Sequence, residues 1–153
     1  MDRIERERRY LQRVVALAGI VPVAAGLYGV LFGAGLTGDR IGVSGDSHYR
    51  YLSGLLLAVG LLFWSSIPAI EEKAGRIQLL TLVVVIGGLG RLAGLLLTGL
   101  PSLAMLGALV MELAVTPLVC LWQIRIARSY ETASPGLQPA AAPARLVEPA
   151  ADT

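Results

Sequence analysis

The sequence has one cysteine and one histidine in 153 residues, so it can form no internal disulfide and no zinc site from its own side chains. Cys120 is expected to be a small buried hydrophobe. No metal site and no cofactor are expected. HExxH, Walker, GxSxG and CxxC patterns are all missing, so no catalytic constellation stands out. His48 and Asp46 sit two residues apart with no nucleophile obviously placed beside them, and His48 reads as a surface residue. Charge is scarce too: 16% of residues are charged and the net charge is +2. A basic N-terminal stretch is compatible with anionic lipid, and no nucleic-acid partner is expected.

Long apolar runs are plentiful. Hydrophobic residues make up 55% of the chain, and mean hydropathy is +0.67. That is too apolar for a soluble domain of this size. Four runs stand out, roughly Val14 to Leu36, Tyr51 to Ile70, Ile77 to Thr98 and Leu103 to Ile124. Each has about the 20 residues that a 30 Å hydrocarbon layer requires. None carries the polar stripe of a soluble bundle helix. The first run is too long for a signal peptide and lacks a clear cleavage site. The reading is an all-α integral membrane protein, a four-helix transmembrane bundle. Residues 1–13 form a basic N-terminal segment, residues 14–128 the transmembrane domain, and residues 129–153 a disordered Pro/Ala-rich tail.

Charge placement sets the expected orientation. Arg3, Arg6, Arg8, Arg9 and Arg13 precede the first run, Lys73 and Arg76 lie between the second and third, and Arg125 and Arg128 follow the fourth. The other side has only Arg40 and Arg50. Positive residues favour the cytoplasm, so both termini are expected there. Glu5 and Arg9 are an i,i+4 pair, which makes the N-terminal segment a surface helix or an extension of the first span. Pro22 and Pro117 should kink their helices. Ala25, Gly29 and Gly33, and the pair Gly90 and Gly94, give small-residue spacings that let helices approach closely. Tyr49, Tyr51, Trp64 and Trp122 fit an interfacial aromatic belt.

Two charges interrupt the apolar runs. Arg91 lies in the third and Glu112 in the fourth. Each alone costs about 2.5–3.5 kcal/mol on insertion scales. The runs are joined by a tight turn at Gly99-Leu100-Pro101, which makes them antiparallel neighbours. Arg91 falls roughly 12 Å and Glu112 roughly 16 Å below that turn at 1.5 Å per residue. Gly87, Arg91, Gly94 and Thr98 share one helical face, and Met105, Ala108, Glu112 and Thr116 share the facing one. Tyr28 reaches the same depth on the first helix. A polar layer of Tyr28, Arg91 and Glu112 is therefore expected, with Asp46, His48, Arg50 and Ser53 above it at the mouth.

Such a layer supports an outward-facing cavity for a lipid or hydrophobic metabolite, anchored by Arg91 and braced by Glu112. The same pair equally suits a closed structural contact that fixes helix register. A proton relay through Glu112 is disfavoured, because an acid beside an arginine stays ionised. An accessory subunit of a larger membrane complex, or a homo-oligomer, is the alternative role. A lipid-modifying enzyme is the second, and it would require another titratable group near Glu112. Membrane lipids are the expected partners.

The strings Asp46-Ser47-His48-Tyr49-Arg50-Tyr51-Leu52-Ser53-Gly54, Gly87-Gly88-Leu89-Gly90-Arg91 and Gly99-Leu100-Pro101, with Glu112 and Pro117, resemble the bacterial membrane family known as domain of unknown function 4345. The resemblance covers roughly Leu17 to Ile124. It implies a small four-helix membrane protein, names no activity, and implies that Arg50, Arg91 and Glu112 belong to one site.

Overall fold

The computed structural model describes residues 2–34 and 42–133. The expected tail beyond Ala133 and most of the first half of the outer loop lie outside the described residues. Those described are all-helical. Helix α1 is Asp2–Phe32, α2 is Val43–Ser65 and α3 is Ala74–Thr98. Helix α4 opens as Leu103–Val110, passes through a π-helical turn at Met111–Val115, and continues as Thr116–Ala133. Three of the four, Arg3–Phe32, Ala74–Thr98 and Leu103–Thr132, are long and apolar enough to cross a membrane. Helix α2 falls short of that hydropathy because its first turns carry Asp46, His48 and Arg50.

Several boundaries differ from those expected. The charged N-terminal segment is one continuous helix with the first apolar run, because Arg3–Glu7 and Glu5–Arg8 pairs support its opening turns. Helix α2 begins eight residues before Tyr51, so the mouth segment Val43–Arg50 is helix rather than loop. It ends at Ser65, where Pro68 prevents Ile67 from continuing it. Helix α4 extends past Ile124 to Ala133. At Pro117 the strain is taken up by the preceding π turn. There Thr116 donates both its backbone N–H and its hydroxyl, at 2.8 Å, to the Met111 carbonyl.

The chain folds as two hairpins. Helix α2 packs on α1 from Ala16 to Gly33, and glycine makes this possible. A Cβ at Gly26 would lie 2.6 Å from the Leu57 backbone nitrogen, and one at Gly29 would lie 2.1 Å from Ser53 Oγ. Ala25, expected on this face, is exposed instead. Trp64 belongs to the seam as well: its ring lies on Gly19 and its N–H donates to the Ala16 carbonyl at 3.0 Å.

The hairpins meet at one end only. There α1 packs on the second half of α4, around a core of Leu11, Val15, Ile70, Ile77, Cys120 and Ile126. Polar ties close this end. Gln12 and Gln123 donate to the carbonyls of Ile67 and Ile70 at 2.8 and 2.7 Å, and Arg8 bonds Glu71 at 2.8 Å. Toward the opposite end α1 does not pack on α3 or on Leu103–Val110. Leucines 96, 97, 100 and 103 are all more than three-quarters exposed. Only 6% of the most apolar stretch of α4 is buried within the protein.

Candidate functional site

Arg91 and Glu112 face each other across α3 and α4. Arg91 Nε donates to Glu112 Oε2 at 3.0 Å and Nη2 donates to Oε1 at 3.1 Å, a bidentate fork. Gly88 makes the approach possible, since a Cβ there would lie 2.9 Å from Glu112 Cβ and 2.7 Å from Leu113 Cδ2. The face of α3 that meets α4 is thus Gly88 and Arg91, one position away from the expected glycine stripe. Gly87, Gly90 and Gly94 look onto open space. Glu112 lies inside the π turn. Such a turn inserts one residue, which rotates the side chains beyond it by about 100° relative to an unbroken helix. No hydropathy pattern reveals that offset; the neighbouring Thr116-Pro117 is its one sequence signal.

The other edge of the guanidinium is less well served. Its Nη1 donates only to the thioether of Met105, at 2.8 Å. A guanidinium has five N–H donors and sulfur is a weak acceptor. Arg91's side chain is 34% exposed and that of Glu112 18%. The pair therefore sits on an open face of the α3–α4 hairpin, with donors to spare, and not in an enclosed cavity.

The mouth residues form a separate assembly. Asp46 Oδ2 accepts from Arg50 Nε at 2.8 Å, and its Oδ1 accepts from the Ala34 N–H at 2.8 Å. Arg50 Nη1 donates to the carbonyls of Val30 and Leu31 at 2.7 and 3.2 Å. Together they cap the C-terminus of α1, where a cation also suits the helix dipole. Gly33, at φ +63°, ends that helix in the left-handed conformation and leaves room for both side chains. The Arg50 guanidinium, and next the Ala34 N–H, hold the Asp46 carboxyl below its ordinary range. Ser53 donates to the Tyr49 carbonyl at 2.8 Å and packs on Gly29. The His48 side chain is exposed and makes no hydrogen bond among the described residues.

Tyr28 stands apart from Arg91. It is exposed on α1 and lies against Phe32, with ring centroids 5.0 Å apart. Depth along a helix fixed its level but not its direction, and the Gly26–Gly29–Gly33 face, which must meet α2, turns it away from α3. The seven expected residues thus divide into the Arg91–Glu112 pair, the Asp46–Arg50 clamp, Ser53 in the α1–α2 seam, and two exposed side chains. Missed by sequence reasoning was the role of the Val30, Leu31 and Ala34 backbone. The i,i+4 spacing of Asp46 and Arg50, followed back to Gly33, could have pointed to it. No group of three or more metal-ligating side chains occurs among the described residues.

A family model described as a domain of unknown function (DUF4345) matches residues 10–123. The chain belongs to that family. No match was found among curated proteins or solved structures.

Proposed function

We propose that this member of a family of unknown function is a non-catalytic bacterial inner-membrane protein that holds a lipid or hydrophobic metabolite against Arg91. In this reading all four helices cross the bilayer and both termini are cytoplasmic. The ligand reaches the open face of the α3–α4 hairpin from the side, and its polar or anionic head accepts from Arg91 while Glu112 keeps the fork in place. The observation that carries the reading is the spare edge of the guanidinium. Nη1 has only the Met105 sulfur at 2.8 Å, midway along an apolar helix. Unsatisfied donors in hydrocarbon cost several kcal/mol each, so an oxygen-bearing ligand is the natural complement. The mouth residues are left out of the site, because Asp46 and Arg50 satisfy each other and the end of α1. A lipid-modifying enzyme fits less well: among the described residues Glu112 bonds Arg91 and no second titratable group.

One observation favours a second reading, an accessory subunit or homo-oligomer. Gly90 and Gly94 form a GxxxG pair with nothing within 4 Å, and a partner helix could close on it.

The test is lipid mass spectrometry of protein purified in mild detergent. Wild type should retain a species with a polar or anionic head enriched over the bulk extract. Arg91→Leu with Glu112→Leu, which removes both charges together, should fold and lose it. Identical profiles would sink the ligand reading, and an oligomer that dissociates in the double variant would favour the second.

A further inference from the structure

The end of the bundle that unites the hairpins carries an open groove of about 760 Å³ between the first turns of α1 and the last turns of α4. That is within the usual range for small-molecule sites. Most of its lining lies outside the family match at residues 10–123. One wall is Ile4 and the other is α4. The wall is held in place because Tyr130 Oη donates to Glu5, the residue beside Ile4.

The α4 side has a consistent order. Leu118, Leu121, Arg125, Arg128 and Thr132 recur at three- and four-residue spacing, so they share one face. All five are exposed. Read along the helix, this face runs from leucine to guanidinium to hydroxyl. Ile124 completes the apolar floor. Like Arg6, Arg9, Arg13 and Arg76, neither Arg125 nor Arg128 makes an ion pair among the described residues, and of these six only Arg125 and Arg128 line the groove. Two free guanidiniums therefore stand where the apolar surface ends.

We propose that this groove seats an anionic glycerophospholipid. Its phosphodiester sits between Arg125 and Arg128, and an acyl chain runs along Leu121 and Leu118. A free phosphate would use the arginines but make no contact with the leucine and isoleucine floor beside them. A lipid satisfies both, and the order of chemistry along α4 is that of a lipid from chain to head. The proposal needs α4 to cross a membrane and is independent of what Arg91 binds, since the two sites share no residue.

The test is native mass spectrometry of the full chain in a neutral detergent, titrated with phosphatidylglycerol or phosphatidylcholine. Phosphatidylglycerol should bind in preference. A basic residue near an anionic surface contributes a factor of about 5. The exposed double change Arg125→Gln with Arg128→Gln should therefore lower that affinity roughly 30-fold. Leu121→Ser should weaken it, while inorganic phosphate should not compete. Arg6→Gln with Arg76→Gln, outside the groove, should leave it unchanged. Equal binding of the two lipids would overturn the proposal, as would an equal loss in the Arg6/Arg76 control. Displacement by inorganic phosphate, or no effect of Leu121→Ser, would reduce the site to an anion contact and overturn it as well. Circular dichroism checks that each variant is folded.

Discussion

Arg91→Ala removes the partner of a carboxylate that already gives both oxygens to one guanidinium. The size of the loss depends on what surrounds the pair. Exposed ion pairs in water contribute about 0–1 kcal/mol. Breaking a buried one costs about 3–5 kcal/mol, because the remaining charge is left without compensation. The parts of Arg91 and Glu112 that the protein leaves open, 34% and 18% of each side chain, face hydrocarbon if α3 and α4 cross the bilayer. The expected cost is therefore close to the buried case, about 2–4 kcal/mol, trimmed because the membrane-unfolded chain finds other partners. Glu112→Ala should cost about as much. Arg91→Leu with Glu112→Leu should cost several kcal/mol less than the sum of the single changes, since no charge is stranded. Unfolding by titration with a denaturing detergent, followed by helicity, measures all three. Single changes that each cost under about 1 kcal/mol and add in the double variant would mean that water reaches the pair, and would refute its placement in an apolar layer.

Gly26→Ala should destabilise by about 1–3 kcal/mol, because its Cβ would meet the Leu57 backbone at 2.6 Å and neither helix can yield cheaply. Gly90→Ala and Gly94→Ala should be neutral or gain up to about 1 kcal/mol of helix propensity in the same unfolding assay, since nothing lies within 4 Å of either. Asp46 ties the end of α1 to the start of α2, and its lowered pKa, set first by Arg50 and then by the Ala34 N–H, fixes the sign of its pH effect. The stabilisation is complete above the ordinary carboxylate value of about 3.9 and is lost as pH falls through the lower folded value. Thermal unfolding should thus show an acid-sensitive step below about pH 4 that Asp46→Asn removes while lowering stability at neutral pH. Reporter fusions after Arg128 and at Gly42 should report cytoplasm and periplasm respectively, and a periplasmic signal from the first would overturn the orientation.

The apolar runs made the helices legible, and the short turn between two of them placed Arg91 opposite Glu112. Lipid demands long apolar segments and penalises unpaired charge, so both signals are strong. Helix direction around its axis was harder to read. The expected stripe of Gly87, Arg91 and Gly94 gave way to Gly88 and Arg91, because periodicity alone leaves several small-residue faces equivalent. The start of α2 was hidden for a different reason. Val43–Arg50 is a polar helical segment, held by the cap it makes on α1, and hydropathy does not detect such a segment. The ties at the closed end, Arg8 to Glu71 and Tyr130 to Glu5, join residues 63 and 125 apart, a pairing that no local pattern encodes.

Whether Arg91 holds a ligand from within the membrane is tested most directly by an experimental density map of the protein in a lipid nanodisc. An elongated density is expected on the open face of α3 and α4, with its polar end within hydrogen-bond reach of Arg91 Nη1. A face bare of such density, or Nη1 turned onto a second protein helix, would contradict it.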